Sequence, residues 1–303
     1  MSGQPLNKEL TMYKKLLVAC DGSEGSQIAV LHASILAKKL GAGLSAIWVR
    51  SSLPHYPETI DEIDVEEESA HEFFENIKAQ LQSVGVGQGV TIQPEMRSGH
   101  PAQQILEFAR AHKTDLIVLG SRGHSRLWGE LIGHTADRVS EHAPCGVLIV
   151  RSAQEAARYR KTLIAYDGSD AADTALRHAL ALAKHIGSEA HVLWIQENTL
   201  VRGHRAMEPG EDEIRAREFF QTVLRGRIDA AAAEQGLDVN AGYRCGNAAQ
   251  TLVVEVASSG FRLIVLGHRG HSGLWGKLLG GVADRVSHLA RCDVLIVREK
   301  AKL

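Results

Sequence analysis

The strongest constraint in this 303-residue chain is a string that occurs twice. LGSRGHSRLWGELIGHTADRVSEHAPCGVLIVR, from Leu119 to Arg151, returns as LGHRGHSGLWGKLLGGVADRVSHLARCDVLIVR from Leu266 to Arg298. Each copy begins inside a short, β-branched apolar run, Leu116 to Leu119 or Leu263 to Leu266, that stops at a glycine and predicts a buried strand. Further glycines follow in register: Gly120, Gly123 and Gly133 in one copy, Gly267, Gly270 and Gly280 in the other. The third glycine opens an amphipathic segment (Ala136, Val139, Ser140; Ala283, Val286, Ser287) that predicts a helix. A glycine loop running into a helix N-terminus suits anion binding, because the first amides lack partners within the helix and the dipole there is positive.

The rest of the chain duplicates around these loops. Lys15 to Cys20 predicts a strand ending in Asp21-Gly22-Ser23, and Thr162 to Tyr166 one ending in Asp167-Gly168-Ser169, with each serine placed to cap a helix. Those helices end at Gly41 and Gly187. Second strands follow at Leu44 to Val49 and Ala190 to Ile195, and third strands at Thr91 to Met96 and Asp238 to Tyr243. Helices begin near Pro101 and Asn247, and last strands lie at Val147 to Val150 and Val294 to Val297. The run Gly85-Val-Gly87-Gln-Gly89 reads as a turn between helix and strand.

Alternation of strand and helix predicts α/β architecture. The expected fold is two doubly wound five-stranded parallel sheets, strand order 3-2-1-4-5, with helices on both faces, one per repeat. The corresponding domains are residues 1–152 and 153–303. In such sheets ligands bind at the carboxyl ends of strands where the winding reverses, which is where Asp21 would meet the Gly120 loop. The last strands are apolar and would be sheet edges, an aggregation liability unless covered. They are expected to pair with each other as an intra-chain pseudo-dimer; whether whole chains form a homodimer is left open.

A net charge of −2 supplies no field for nucleic acid, and neither a signal-peptide core nor a membrane span is found, so the expected location is cytoplasmic with no membrane partner. Four cysteines without a C-x-x-C spacing argue against a disulfide framework or zinc ribbon. Cys145 and Cys292 read as packing residues, whereas Cys20, beside Asp21, leaves a minor redox role open. The acidic run Asp61 to Glu68 reads as a solvated helix start rather than a cation site. His124, His134 and His142 near one loop and His268 and His271 near the other read as polar loop residues, so no metal site is assigned. Trp128 and Trp275 read as packing or partner-facing residues.

Neither standard phosphate motif is present. Gly276-Lys277-Leu278 lacks the spacing and final hydroxyl of a P-loop, Glu130 stands at the lysine position of the first copy, and no G-x-G-x-x-G follows the first strand. Instead, each repeat resembles a universal stress protein domain, whose nucleotide-binding members carry G-x2-G-x9-G followed by Ser or Thr, after an opening strand that ends in Asp. Both halves match, so nearly the whole chain resembles a tandem member of that family.

The resemblance implies that Asp21 contacts adenosine and that the Val49 backbone lies beside adenine. It further implies that Leu119, Gly120, Arg122 and Gly123 with Gly133, His134 and Thr135 hold ribose and phosphates, using the backbone amides of Gly123, Gly133 and His134. The matching second-half positions are Asp167, Ile195, Leu266, Gly267, Arg269, Gly270, Gly280, Gly281 and Val282. Here the chain departs from the family pattern. The expected Ser or Thr after the third glycine is His134 in one half and Gly281 in the other; Thr135 offers a substitute hydroxyl, and Gly281-Val282 offers none. A lost hydrogen bond to a charged group costs about 1.5–3 kcal/mol, so the first site should bind more tightly.

Three functional readings follow. The first is a stress-response regulatory protein holding ATP or a related adenine nucleotide, with Mg²⁺ as an allowed companion. The second is a nucleotide-free, pseudo-symmetric scaffold for protein partners that the sequence does not identify. The third is a slow ATPase, for which the chain shows no placed general base or phosphate-loop lysine, so no catalytic residue is assigned.

Overall fold

The computed structural model describes residues 13–51, 60–123, 132–151, 159–197, 211–270 and 279–298. Trp128, Trp275, His124 and His271 lie outside these residues. The first half runs β1 (Lys15–Ala19), α1 (Glu24–Leu40), β2 (Gly43–Arg50), α2 (Ile60–Gln88), β3 (Ile92–Ser98), α3 (Pro101–Ala111), β4 (Leu116–Gly120), α4 (His134–His142) and β5 (Gly146–Val150). The second runs β6 (Lys161–Ala165), α5 (Asp170–Ile186), β7 (Glu189–Gln196), α6 (Glu211–Phe219), a π-helical turn (Phe220–Leu224), α7 (Arg225–Gln235), β8 (Val239–Cys245), α8 (Ala248–Ser259), β9 (Leu263–Gly267), α9 (Gly281–Leu289) and β10 (Asp293–Val297).

The helix ends follow their local chemistry. Ser23 and Ser169 accept from the amides of Ser26 and Ala172 and so cap α1 and α5, and Asn247 caps α8 through the amide of Gln250. Gly41 and Gly187 close α1 and α5 in the left-handed region, at φ 62° and 72°. The predicted turn at Gly85 to Gly89 is corrected: α2 continues through Gly85 and Gly87 to Gln88, and Gly89 follows it in the left-handed region. Gly85 earns its place in the helix because a Cβ there would lie 2.6 Å from the carbonyl oxygen of Val90.

Within each half the strands are parallel, in the orders β3-β2-β1-β4-β5 and β8-β7-β6-β9-β10. The expectation of two separate sheets is corrected: one ten-stranded sheet runs through the molecule. Its junction is antiparallel, with Val147 opposite Ile296, Leu148 opposite Leu295 and Ile149 opposite Val294. Pairing of these two wholly buried strands removes both liable edges at once.

Side chains alternate across the sheet and form a core on each face. Leu16, Val18, Val118 and Leu148 point to the layer under α1, α2, α5 and α7, whereas Leu17, Ile117, Val147 and Ile149 point to α3, α4, α8 and α9. Full burial of such side chains contributes about 1.5–3 kcal/mol each, so both layers are anchored by the same strands.

The seam also carries a reciprocal polar exchange. Tyr13 of the first half reaches His178 Nδ1 at 3.3 Å, and Tyr159 of the second lies 3.1 Å from His32 Nδ1. Arg151 donates to the carbonyls of Ser287 and Cys292, while Arg298 donates to those of Ser140 and Glu141. Each arginine thus caps carbonyls at the end of the opposite half's last helix, where positive charge opposes the negative dipole end.

Candidate functional site

Every first-half residue that the resemblance assigned to the nucleotide lines one cleft. Asp21, Val49, Leu119, Gly120, Arg122, Gly123, Gly133, His134 and Thr135 surround a volume of about 180 Å³ at the carboxyl ends of β1, β2 and β4. This is the position at which the winding of the sheet reverses.

Asp21 is held by the turn that follows it. The Ser23 amide donates to Asp21 Oδ1 at 3.0 Å, the Ser23 hydroxyl donates to the same oxygen, and Ser26 Oγ accepts from the Asp21 amide at 3.3 Å. In the second half the Ser169 amide and hydroxyl hold Asp167 Oδ1 at 3.0 and 2.6 Å. Both carboxylates are therefore preset by hydrogen bonds from the residue two places on.

The first two glycines of each loop are required by packing. A Cβ on Gly120 would lie 2.5 Å from the Gly25 carbonyl oxygen, and one on Gly267 would lie 2.8 Å from that of Ala171. A Cβ on Gly123 would stand 2.6 Å from Asp21 Oδ2, and one on Gly270 would stand 2.5 Å from Asp167 Oδ2. The aspartate and the second glycine thus belong to one closely fitted unit in each half.

The third glycine differs. Gly133 has an ordinary φ of −82°, and its nearest would-be neighbour, Ser121 O, is at a van der Waals distance of 3.4 Å. Gly280 is tighter, at 3.2 Å from Arg269 Cα. Both are N-caps that lack a capping side chain. In α4 the first intrahelical bond runs from Asp137 N–H to Gly133 O, so the amides of His134, Thr135 and Ala136 precede the hydrogen-bonded ladder, at the cleft wall. The expected phosphate donor Gly133 N–H is corrected: it donates to Ser121 O at 2.6 Å, as Gly280 N–H does to His268 O at 2.8 Å.

The structure adds cleft residues that motif reading missed. Ser26, Ile105 and Ser121 line it, as do Pro101, read only as a helix start, and Cys20, already placed beside Asp21. Comparison of the repeats would have drawn attention to two of them, because Ser26 and Ser121 correspond to Ala172 and His268. The Cys20 thiol donates to Ile47 O at 3.4 Å, and burial, with the nearby Asp21 charge, pushes its pKa up to about 12. That opposes formation of a reactive thiolate. Cys145 and Cys292 are buried, as expected of packing residues.

Arg122 and Arg269 are exposed on their loops. Burial, followed by the neighbouring positive charge of Arg269, pushes the Arg298 guanidinium down to about 10. In the second half, Ile195 ends near the tip of β7, Leu266 and Gly267 end β9, and Gly281 and Val282 begin α9. Among the described residues no helix is long and apolar enough to cross a membrane.

A doubly wound parallel sheet, an aspartate closing β1 and a glycine loop feeding an uncapped helix, all present twice, define a tandem α/β protein with paired loop sites. The sequence model described as the Universal stress protein family matches residues 12–151 and again residues 158–298. The chain belongs to that family. A universal stress protein of Mycobacterium tuberculosis is 26% identical over 296 residues, covering 94% of this chain and 97% of its own length. One from Methanocaldococcus jannaschii is 37% identical over 147 residues, covering 46% of this chain and 83% of its own. The crystal structure of a universal stress protein from Archaeoglobus fulgidus superposes with a TM-score of 0.68 at 21% identity, covering 94% of this chain and 98% of that one, and so shares its fold.

Proposed function

We propose that the first half of this universal stress protein binds ATP or a related adenine nucleotide in the cleft between Asp21 and the start of α4, and that the chain acts as a nucleotide-responsive regulator. The observation that carries this reading is the uncapped N-terminus of α4, whose first residues line the cleft that also contains Asp21 and the edge of Val49. Amides without intrahelical partners, at the positive end of a helix dipole, suit phosphate oxygens. The flanking apolar walls, Val49, Ile47, Ile105 and Leu119, suit a flat base. His134 and Thr135 amides replace Gly133 as phosphate donors in this reading, with the Thr135 hydroxyl, Ser26 and Ser121 as further polar groups. Arg122 supplies exposed positive charge at the rim.

The second half is assigned the weaker site. It keeps Asp167, Ile195, Leu266, Gly267, Arg269, Gly270 and Gly280, but Gly281-Val282 brings no hydroxyl to the start of α9. Mg²⁺ would accompany the nucleotide through its phosphates.

A second reading has its own support. Because Gly120, Gly123, Gly267 and Gly270 are explained by packing alone, a scaffold without nucleotide would retain them too. Mass spectrometry of the denatured extract of purified protein, together with calorimetric titration of ATP, separates the two. Retained adenine nucleotide, or saturable heat with one dominant site, is the expected result. No nucleotide and no heat at millimolar ATP would leave the scaffold.

A further inference from the structure

On the face of the sheet opposite α1 and α5, helices α4 and α9 flank the antiparallel seam. They bring together Asp137 of the first half with Asp284 and His288 of the second. One ligand atom from each of the three lies within 4.8 Å of the other two. All three side chains are about half exposed, so an ion from solvent has access to them.

The imidazole of His288 is set for coordination. Its Nδ1 lies 2.8 Å from the carbonyl oxygen of Asp284 one turn back, so Nδ1–H is the donor there and the Nε2 lone pair faces outward. Such a hydrogen bond from the second ring nitrogen to a backbone carbonyl is how metal-binding histidines are commonly oriented. The lone pair of Nε2 faces Asp137 Oδ1 at 3.5 Å. Either a proton on the imidazole or a cation held between Nε2 and the carboxylate makes this approach favourable, so the pair has the spacing of two ligands to one ion. Donors about 2.0–2.1 Å from a tetrahedral Zn²⁺ stand about 3.4 Å apart, which is close to the separation seen. Asp284 Oδ1 lies 3.7 Å from Nδ1, so its exposed side chain has to rotate toward Nε2 to join the same ion.

The repeat explains why this cluster occurs once among the described residues. Asp137 and Asp284 are equivalent, but four residues further on the first half has Glu141 where the second has His288. Only the second half therefore offers an imidazole to the carboxylate of its partner helix.

We infer that Asp137, Asp284 and His288 form a divalent transition-metal site of the zinc class, with water completing the shell, that ties α4 to α9 across the seam. One imidazole with two carboxylates favours zinc over the all-oxygen sites of Mg²⁺ or Ca²⁺. Neither the loop histidines nor nucleotide binding enters this inference.

The test uses the chelator-treated full chain without nucleotide, which would itself compete for metal. Equilibrium dialysis against zinc should give one equivalent per chain, with affinity at least tenfold weaker in both Asp137→Asn and His288→Gln. Zinc should raise the thermal midpoint of the parent and leave those of the two variants unmoved. Cobalt in place of zinc should show visible ligand-field bands without the near-ultraviolet thiolate charge-transfer band that Cys245 would give. Absence of zinc uptake at micromolar free metal, unchanged affinity in either variant, or a thiolate band would each overturn the assignment.

Discussion

The hydroxyl of Tyr159 donates to Asp293 Oδ2 at 2.8 Å inside the seam, and the place equivalent to Asp293 in the other half is Gly146. With its proton committed to the carboxylate, the Tyr159 oxygen accepts from His32 Nδ1–H at 3.1 Å. The backbone amide of Arg151 donates to the other carboxylate oxygen at 2.8 Å. The counterpart Tyr13 reaches His178 Nδ1 at 3.3 Å; the carboxylate near it is that of Asp115, whose charge adds to burial in raising the Tyr13 pKa, and Gly146 offers no side chain at the place of Asp293. The two halves thus lock together with unequal latches.

Tyr159→Phe should accordingly cost more than Tyr13→Phe. Removing a donor from a buried, charged acceptor costs about 1–3 kcal/mol, and losing one neutral hydrogen bond about 0.5–1.5 kcal/mol. Urea denaturation of both variants checks the order, and equal midpoints would contradict the unequal latch.

The same carboxylate gives the stability of the protein a predicted pH dependence. Burial raises the Asp293 pKa above its ordinary value, against the opposing effects of His32, Arg151 and Tyr159. The folded state therefore holds this proton to higher pH than the unfolded chain does. Its contribution to stability is largest below the unfolded carboxylate pKa and declines as pH rises through the folded one. Asp293→Asn removes that slope. The difference in stability between the parent and Asp293→Asn should therefore move in favour of the variant as pH is raised from acid to neutral. A difference that moves toward the parent over that range would refute it.

The sequence made one half of this architecture readable because the other half repeated it. Strand runs such as Leu116 to Leu119, the caps Ser23, Ser169 and Asn247 and the terminating Gly41 and Gly187 are local signals, and all of them stand in the structure. The apolar strands β5 and β10 announced edges that needed covering, and they pair. Other features depend on contacts between distant residues. Gly85 resembled a turn because its helical role depends on Val90 approaching it. Ser26 and Ser121 reach the cleft only through folding, and the exchange of Tyr13 and Tyr159 across the seam has no signature in spacing. The Gly133 amide was misassigned for the same reason: its partner, Ser121 O, lies across a loop.

Gly123→Ala should damage the first half even without ligand. The added carbon would stand 2.6 Å from Asp21 Oδ2, so either the loop or the carboxylate must move. A displacement of this kind costs about 1–3 kcal/mol. Gly270→Ala should behave alike, with 2.5 Å to Asp167 Oδ2. Comparable losses of thermal stability in the two variants are expected. Unchanged melting in both would show that the pairing of aspartate with glycine is not a packing constraint.

Gly133→Val against Gly280→Val tests which half carries the tighter nucleotide site. At Gly133 the backbone is ordinary and the first added carbon finds only a 3.4 Å neighbour, so the folded loop has room for the start of a side chain. The branched remainder would crowd the wall that His134 and Thr135 line, and a phosphate bound at the start of α4 needs close backbone approach there. At Gly280 the closest neighbours stand at 3.2 and 3.3 Å, so valine disturbs the second loop more, but that loop has Gly281-Val282 in place of His134-Thr135 and should contribute less binding. Titration with ATP by calorimetry should therefore show the tighter phase weakened at least tenfold by Gly133→Val and retained in Gly280→Val, with circular dichroism confirming that both are folded. If Gly280→Val instead removes the tighter phase, the ranking of the sites is reversed, and Thr135 is not the hydroxyl that distinguishes them.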